Sequence, residues 1–164
     1  LKPLPVVRPM PPSASTAALL RPILAARSIP ALLAAAKPHL LAEFDAIHVA
    51  ACLTRLASLR GAGGGAGRGG GGNSDVAVLL RALAHKQRKD LAGGRLDAFG
   101  VASAAWVAAT LQAPVLLRNV PLITDQASAR AAAMSPQGLA TTAWALAVLE
   151  VPFATAQSFM RPFC

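Results

Sequence analysis

The chain has 164 residues, 54% of them apolar, which is enough for one ordinary domain with its own core. Ala and Leu supply most of that content, Tyr is absent, and no run alternates apolar and polar residues as a half-buried strand would, so the predicted class is all-α. Sixteen Lys and Arg against seven Asp and Glu give a net charge of +9, an excess the fold does not need, which points to a polyanionic partner, nucleic acid ahead of an anionic membrane surface.

Residues 1–42 hold Lys2, Arg8, Arg21, Arg27 and Lys37 and no acidic residue, the bias of an organellar transit sequence. The proline-rich stretch Lys2 to Pro12 cannot be helical, and residues 1–16 are expected to form an extended basic arm ahead of a helical body over 17–164. From Ala17 to Leu41 Ala and Leu return, interrupted by Pro22, Pro30 and Pro38, which predicts two short helices rather than one. A further helix is predicted over 45–59. Its His48 and Cys52 share a face at i and i+4, but two ligands without a third make no metal site, so both are assigned to a packed helix interior. Cys52 and Cys164 fit neither a disulfide framework nor a zinc knuckle, which indicates a reducing compartment.

Nine of the thirteen residues in 61–73 are Gly, and this stretch is expected to be a surface insertion. It lacks the Lys followed by Ser or Thr that a phosphate-cradling Walker loop requires. Ser74 or Asp75 is the predicted cap of the next helix, whose Val76, Leu79, Leu80 and Leu83 share a face and which Gly93-Gly94 should end. A helix over 97–111 follows, then one somewhere in 115–133 that Pro121 disturbs, then one over 135–149. Ala98 to Leu117 carries no charge for twenty residues, but Gly100, Ser103, Thr110, Gln112 and Pro114 interrupt it, and it is not assigned as a membrane span.

Three of these segments read alike: Asp45 to Leu59, Asp97 to Leu111 and Ser135 to Leu149. Their first residues are all good N-caps. In register, Val49, Val101 and Leu139 are followed by Leu53, Ala105 and Ala143, then Leu56, Ala108 and Leu146, then Leu59, Leu111 and Leu149, a spacing that marks one helix face. Asp97 and Ser135 stand 38 residues apart, as do Pro114 and Pro152; Asp45 and Asp97 stand 52 apart, and the Gly-rich insertion makes up nearly all of that difference. A period of 38 accommodates two helices and two turns, so about three helical hairpins stacked as an α-solenoid are predicted. Trp106 and Trp144 share a register position, which predicts equivalent buried packing between repeats rather than base stacking.

The run Ser135-Pro136-Gln137 followed by Trp144-Ala145-Leu146-Ala147 resembles the signature of the octotricopeptide repeat, and Phe44 to Leu59 looks like the opening repeat of such proteins. In the middle unit Trp106 is kept while Asp97-Ala98-Phe99 replaces Ser-Pro-Gln, and the Pro-Pro-Pro-Glu-type start of the first helix is missing. The resemblance covers about residues 25–160. It implies a nucleus-encoded α-solenoid of chloroplasts or mitochondria that acts on organellar RNA, and the mitochondrion is the preferred site. The C-terminal domain associated with nuclease chemistry in that family has no counterpart in these residues.

Arg81, Lys86, Arg88, Lys89 and Arg95 crowd fifteen residues against Asp90 alone, and with Arg55, Arg60 and Arg130 they are the predicted RNA contacts. Catalysis is not expected, because the seven carboxylates are scattered and no His has an acid or nucleophile placed beside it by sequence. No cofactor, metal ion or small-molecule substrate is implied. Repeat readers of RNA handle about one base per unit, so three units suit a component of a larger assembly, with an rRNA-binding protein of an organellar ribosome ahead of a piece of an RNA maturation, stability or translation factor. A protein scaffold within a ribonucleoprotein is the other class in view. Phe153, Phe159, Met160 and Phe163 are expected to open a fourth unit, and more of the same chain or neighbouring subunits are expected to cover the apolar end of the stack.

Overall fold

The computed structural model describes residues 14–39, 44–62 and 72–152, and among them there are eight α-helices and no strand. They are α1 (Ala14–Ala25), α2 (Ile29–Ala36), α3 (Ala46–Ala62), α4 (Gly72–Ala92), α5 (Ala98–Leu111), α6 (Pro114–Leu117), α7 (Val120–Arg130) and α8 (Pro136–Val148). The all-α class is as the composition predicts. No helix among the described residues is long and apolar enough to cross a membrane.

The three repeated segments start their helices as their caps dictate. Asp45 Oδ1 accepts from the backbone N–H groups of Ile47 (2.9 Å) and His48 (3.0 Å), Asp97 Oδ1 from Gly100 (2.7 Å), and Ser135 Oγ from Gly138 (3.1 Å). Each cap satisfies donors that the first helical turn leaves without a partner. At the other end of α4, Gly94 takes a left-handed φ of +63°, so that its N–H reaches the Leu91 carbonyl and the Arg95 N–H the Asp90 carbonyl. That pairing stops the helix where Gly93-Gly94 predicts.

Packing follows two successions. α1 lies on α3, α3 on α5 and α5 on α8; beside them α4 touches α2 on one side and α6 and α7 on the other, with α1–α2, α2–α3, α3–α4 and α5–α7 contacts joining the two rows. The repeated helices α3, α5 and α8 are therefore consecutive neighbours. Leu53 and Leu56 of α3, Val101, Ala105 and Ala108 of α5 and Leu146 of α8 are buried, and Leu79, Leu83, Leu116 and Ile123 bury the second row against them. Burying one such branched side chain contributes roughly 1.5–3 kcal/mol against about 1 kcal/mol for a cap, so the row packing dominates and the caps set register. α5 is buried on most of its circumference, and its Ala104, Ala105, Ala108 and Ala109 let neighbouring helices approach closely.

Several boundaries and one environment differ from expectation. α1 begins at Ala14, inside the stretch expected to be arm, and holds Pro22 within it, whereas Pro30 stands in the first turn of α2 behind the Ser28 cap. α4 begins at Gly72, ahead of both expected caps, and Asp75 instead pairs with Lys37 across to the end of α2 (2.8 Å). Pro121 does not disturb a helix but starts one, because at the first positions its missing N–H would be unpaired anyway. Trp106 and Trp144 keep the same register yet are not equivalently buried: Trp106 is partly buried against the core and Trp144 is 49% exposed. α5 packs extensively on both α3 and α8, while α8 packs mainly on α5. Most of the basic arm, the centre of the Gly-rich insertion and the expected fourth unit lie outside the described residues.

Candidate nucleic-acid interface

The basic run on α4 divides once the helix forms. Positions 81, 85 and 88 follow one another at i, i+4 and i+7 and so share a face, while 82, 86 and 89 share the adjoining one. The first strip carries Arg81, His85 and Arg88, all exposed. The second carries Lys86 and Lys89 and turns toward Phe44, Asp45, Asp90 and Arg95. Lys86, Arg88 and Lys89, close in sequence, therefore do not form one patch.

Half of the predicted contacts also tie together parts of the chain that are distant in sequence. Arg55 Nε donates to the Ala26 carbonyl just past α1 (2.6 Å), Lys86 Nζ to the Phe44 carbonyl ahead of α3 (3.1 Å), Arg88 Nη1 to the Arg118 carbonyl just past α6 (2.8 Å), and Arg130 Nη2 to the Gly94 carbonyl just past α4 (2.9 Å). Arg130 also bonds Gln126 within its own helix. Three of these four acceptors lie at helix C-termini, where carbonyls lack intrahelical partners and a cation complements the helix dipole. Arg95 pairs with Asp90 (2.6 Å). Arg60, Arg81 and Lys89 are exposed and have no ion-pair or hydrogen-bond partner among the described residues.

Sequence reasoning missed Arg118 and His85. Arg118 follows α6 and stands far from α4 in sequence, but the turn that carries it is bolted down by the buried Asn119, whose side-chain amide donates to the Ala84 carbonyl and to Gln87 Oε1, both at 3.1 Å. The result is an open cleft between α4 and the α6–α7 turn, lined by Arg81, His85, Arg88 and Arg118 with no carboxylate in its walls. A single Asn with two partners 32 and 35 residues away carries no periodic signal that sequence inspection could have used.

His48 does have an acid beside it, contrary to expectation: its Nδ1 lies 2.7 Å from Asp45 Oδ1, and Cys52 follows one turn later. The group does not resemble a nucleophile relay. His48 is buried and stacked on Phe44 with ring centroids 5.3 Å apart, and burial pushes the Cys52 thiol up to about 12, opposite to what a reactive thiolate requires. Both side chains serve the interior of α3. Among the described residues no cluster of three or more His, Cys, Asp or Glu is placed to hold a metal ion.

No protein-family model, no curated protein and no solved structure matches this chain.

Proposed function

We propose that this protein is an RNA-binding α-solenoid of octotricopeptide-repeat type, with about three units, that binds and stabilises rRNA within an organellar ribosome, in the mitochondrion ahead of the chloroplast. The observation that carries the reading is the charge balance on α4. Its acids are already engaged, Asp75 with Lys37 and Asp90 with Arg95, which leaves Arg81 and Arg88 facing solvent together with Arg118, and Lys89 exposed on the adjoining strip. Exposed cations without a partnering carboxylate attract a polyanion, and each phosphate they neutralise releases counterions. The succession of α3, α5 and α8 supports the solenoid, because a repeat that cannot bury its apolar face alone does so against the next.

The test is fluorescence anisotropy of a labelled single-stranded RNA with the full chain over a series of salt concentrations. Affinity should fall steeply with salt, at about 0.7 in log–log slope for each phosphate contact on a single strand. Absence of binding, or binding indifferent to salt, would sink the reading. Sedimentation of organelle lysate with and without RNase then separates a ribosomal component, which travels with a subunit, from a factor in a smaller RNase-sensitive particle.

A protein-scaffold role has its own supporting observation. Leu24 of α1, Ile47 of α3 and Phe99 of α5 are exposed beside an apolar groove between those helices, and Trp144 and Ala143 are exposed on α8. Neighbouring subunits of a ribonucleoprotein would cover such surfaces, and attachment through them would respond little to salt.

A further inference from the structure

Resting on the RNA reading, we infer that the cleft between α4 and the α6–α7 turn seats one phosphodiester group of a single-stranded RNA backbone, held by Arg81, Arg88 and Arg118 with His85 beside them. Three guanidinium groups meet there from two parts of the chain. Like charges do not gather without a restraint, and the restraint is visible: Asn119 fixes the turn to Ala84 and Gln87, and Arg88 Nη1 ties itself to the Arg118 carbonyl. A merely solvated basic face needs no such clamp.

The donors suit a phosphate. Arg88 spends Nη1 on a carbonyl and keeps the rest of its five N–H donors, while Arg81 and Arg118 have no partner among the described residues. Planar forks of this kind match two phosphate oxygens at once. α7 begins at the same turn, and its N-cap Asn119 directs its amide to α4, so no side chain caps the first N–H groups of that helix. A helix start left in that state adds a partial positive charge at the edge of the cleft. Because Arg81, Arg88 and Arg118 are all exposed and the cleft is open, it suits one group in a chain that continues past it on both sides.

The experiment compares the full wild-type chain with Arg81→Gln/Arg118→Gln and with a control of equal charge loss at exposed arginines away from α4, Arg21→Gln/Arg27→Gln, by anisotropy of a labelled oligouridylate across salt. Arg118→Gln keeps the backbone carbonyl that Arg88 uses, so both variants should retain the wild-type circular dichroism melt. The cleft pair is expected to lower the salt slope by about 1.4. It should also weaken binding roughly tenfold or more, the scale of one lost charge-assisted hydrogen bond, with a clearly smaller change in the control. Equal losses in the two variants would mean diffuse attraction and overturn the cleft while leaving RNA binding in place. A wild-type chain that binds no RNA removes the premise as well. Displacement of the oligouridylate by inorganic phosphate at constant ionic strength would mark a small-anion site and overturn the phosphodiester assignment.

Discussion

α5 and α8 are built on one pattern and end in different surroundings. Each starts behind a side-chain cap, carries a Trp nine residues after that cap and repeats the same apolar positions, yet Ala105 is buried where Ala143 is exposed, and Trp106 is half-covered where Trp144 is not. The helix itself is specified locally; how much of it is core is specified by how many neighbours it has.

The widest gap should come from a charge placed at the register position the two helices share. Ala105→Asp puts an unpaired carboxylate among buried side chains and is expected to cost several kcal/mol, enough to abolish a cooperative transition in urea, whereas Ala143→Asp should stay within about 0.5 kcal/mol of wild type. Equal tolerance would mean that α5 is not interior. Truncating the aromatic tests the same contrast more gently. Trp106→Ala should cost about 2 kcal/mol, a discounted share of the 3–5 kcal/mol seen for a fully buried aromatic, and Trp144→Ala under about 1 kcal/mol, both read as shifts of the urea midpoint. The reverse order would show that Trp144 is the better packed of the two.

The smallest effect should erase the contrast altogether. Asp97→Ala and Ser135→Ala each remove one cap hydrogen bond, of 2.7 and 3.1 Å, and each should cost about 1 kcal/mol irrespective of burial. A large excess of one over the other in thermal melts would show that the caps act through the rows and not through their own helices.

What could be read from sequence follows the same division. Asp45, Asp97 and Ser135 were legible as caps because capping involves residues two and three positions away, and Gly94 as a stop because its role depends on its own backbone angle. The order α3, α5, α8 was implicit in the repeat. Trp144 was misread because exposure depends on what lies beside α8, which no local pattern encodes. The basic cluster was half-legible. Helical spacing alone separates Arg88 from Lys86 and Lys89, but the arrival of Arg118 depends on Asn119 meeting Ala84 and Gln87 across the chain. The tying roles of Arg55, Lys86, Arg88 and Arg130 were hidden for the same reason, since their acceptors lie 29 to 42 residues away.

The thiol of Cys52 gives the molecule an internal clock. It sits fully buried on α3, the helix that α1, α2, α4 and α5 all touch, and burial holds its proton on up to about pH 12. Alkylating reagents attack the thiolate, so in the closed fold the reaction is suppressed twice, by access and by ionisation. Modification at neutral pH then proceeds only in the intervals when α3 parts from its neighbours, and its rate counts those openings. With Cys164 replaced by Ser, the chain reports the opening free energy at its own centre without any introduced probe.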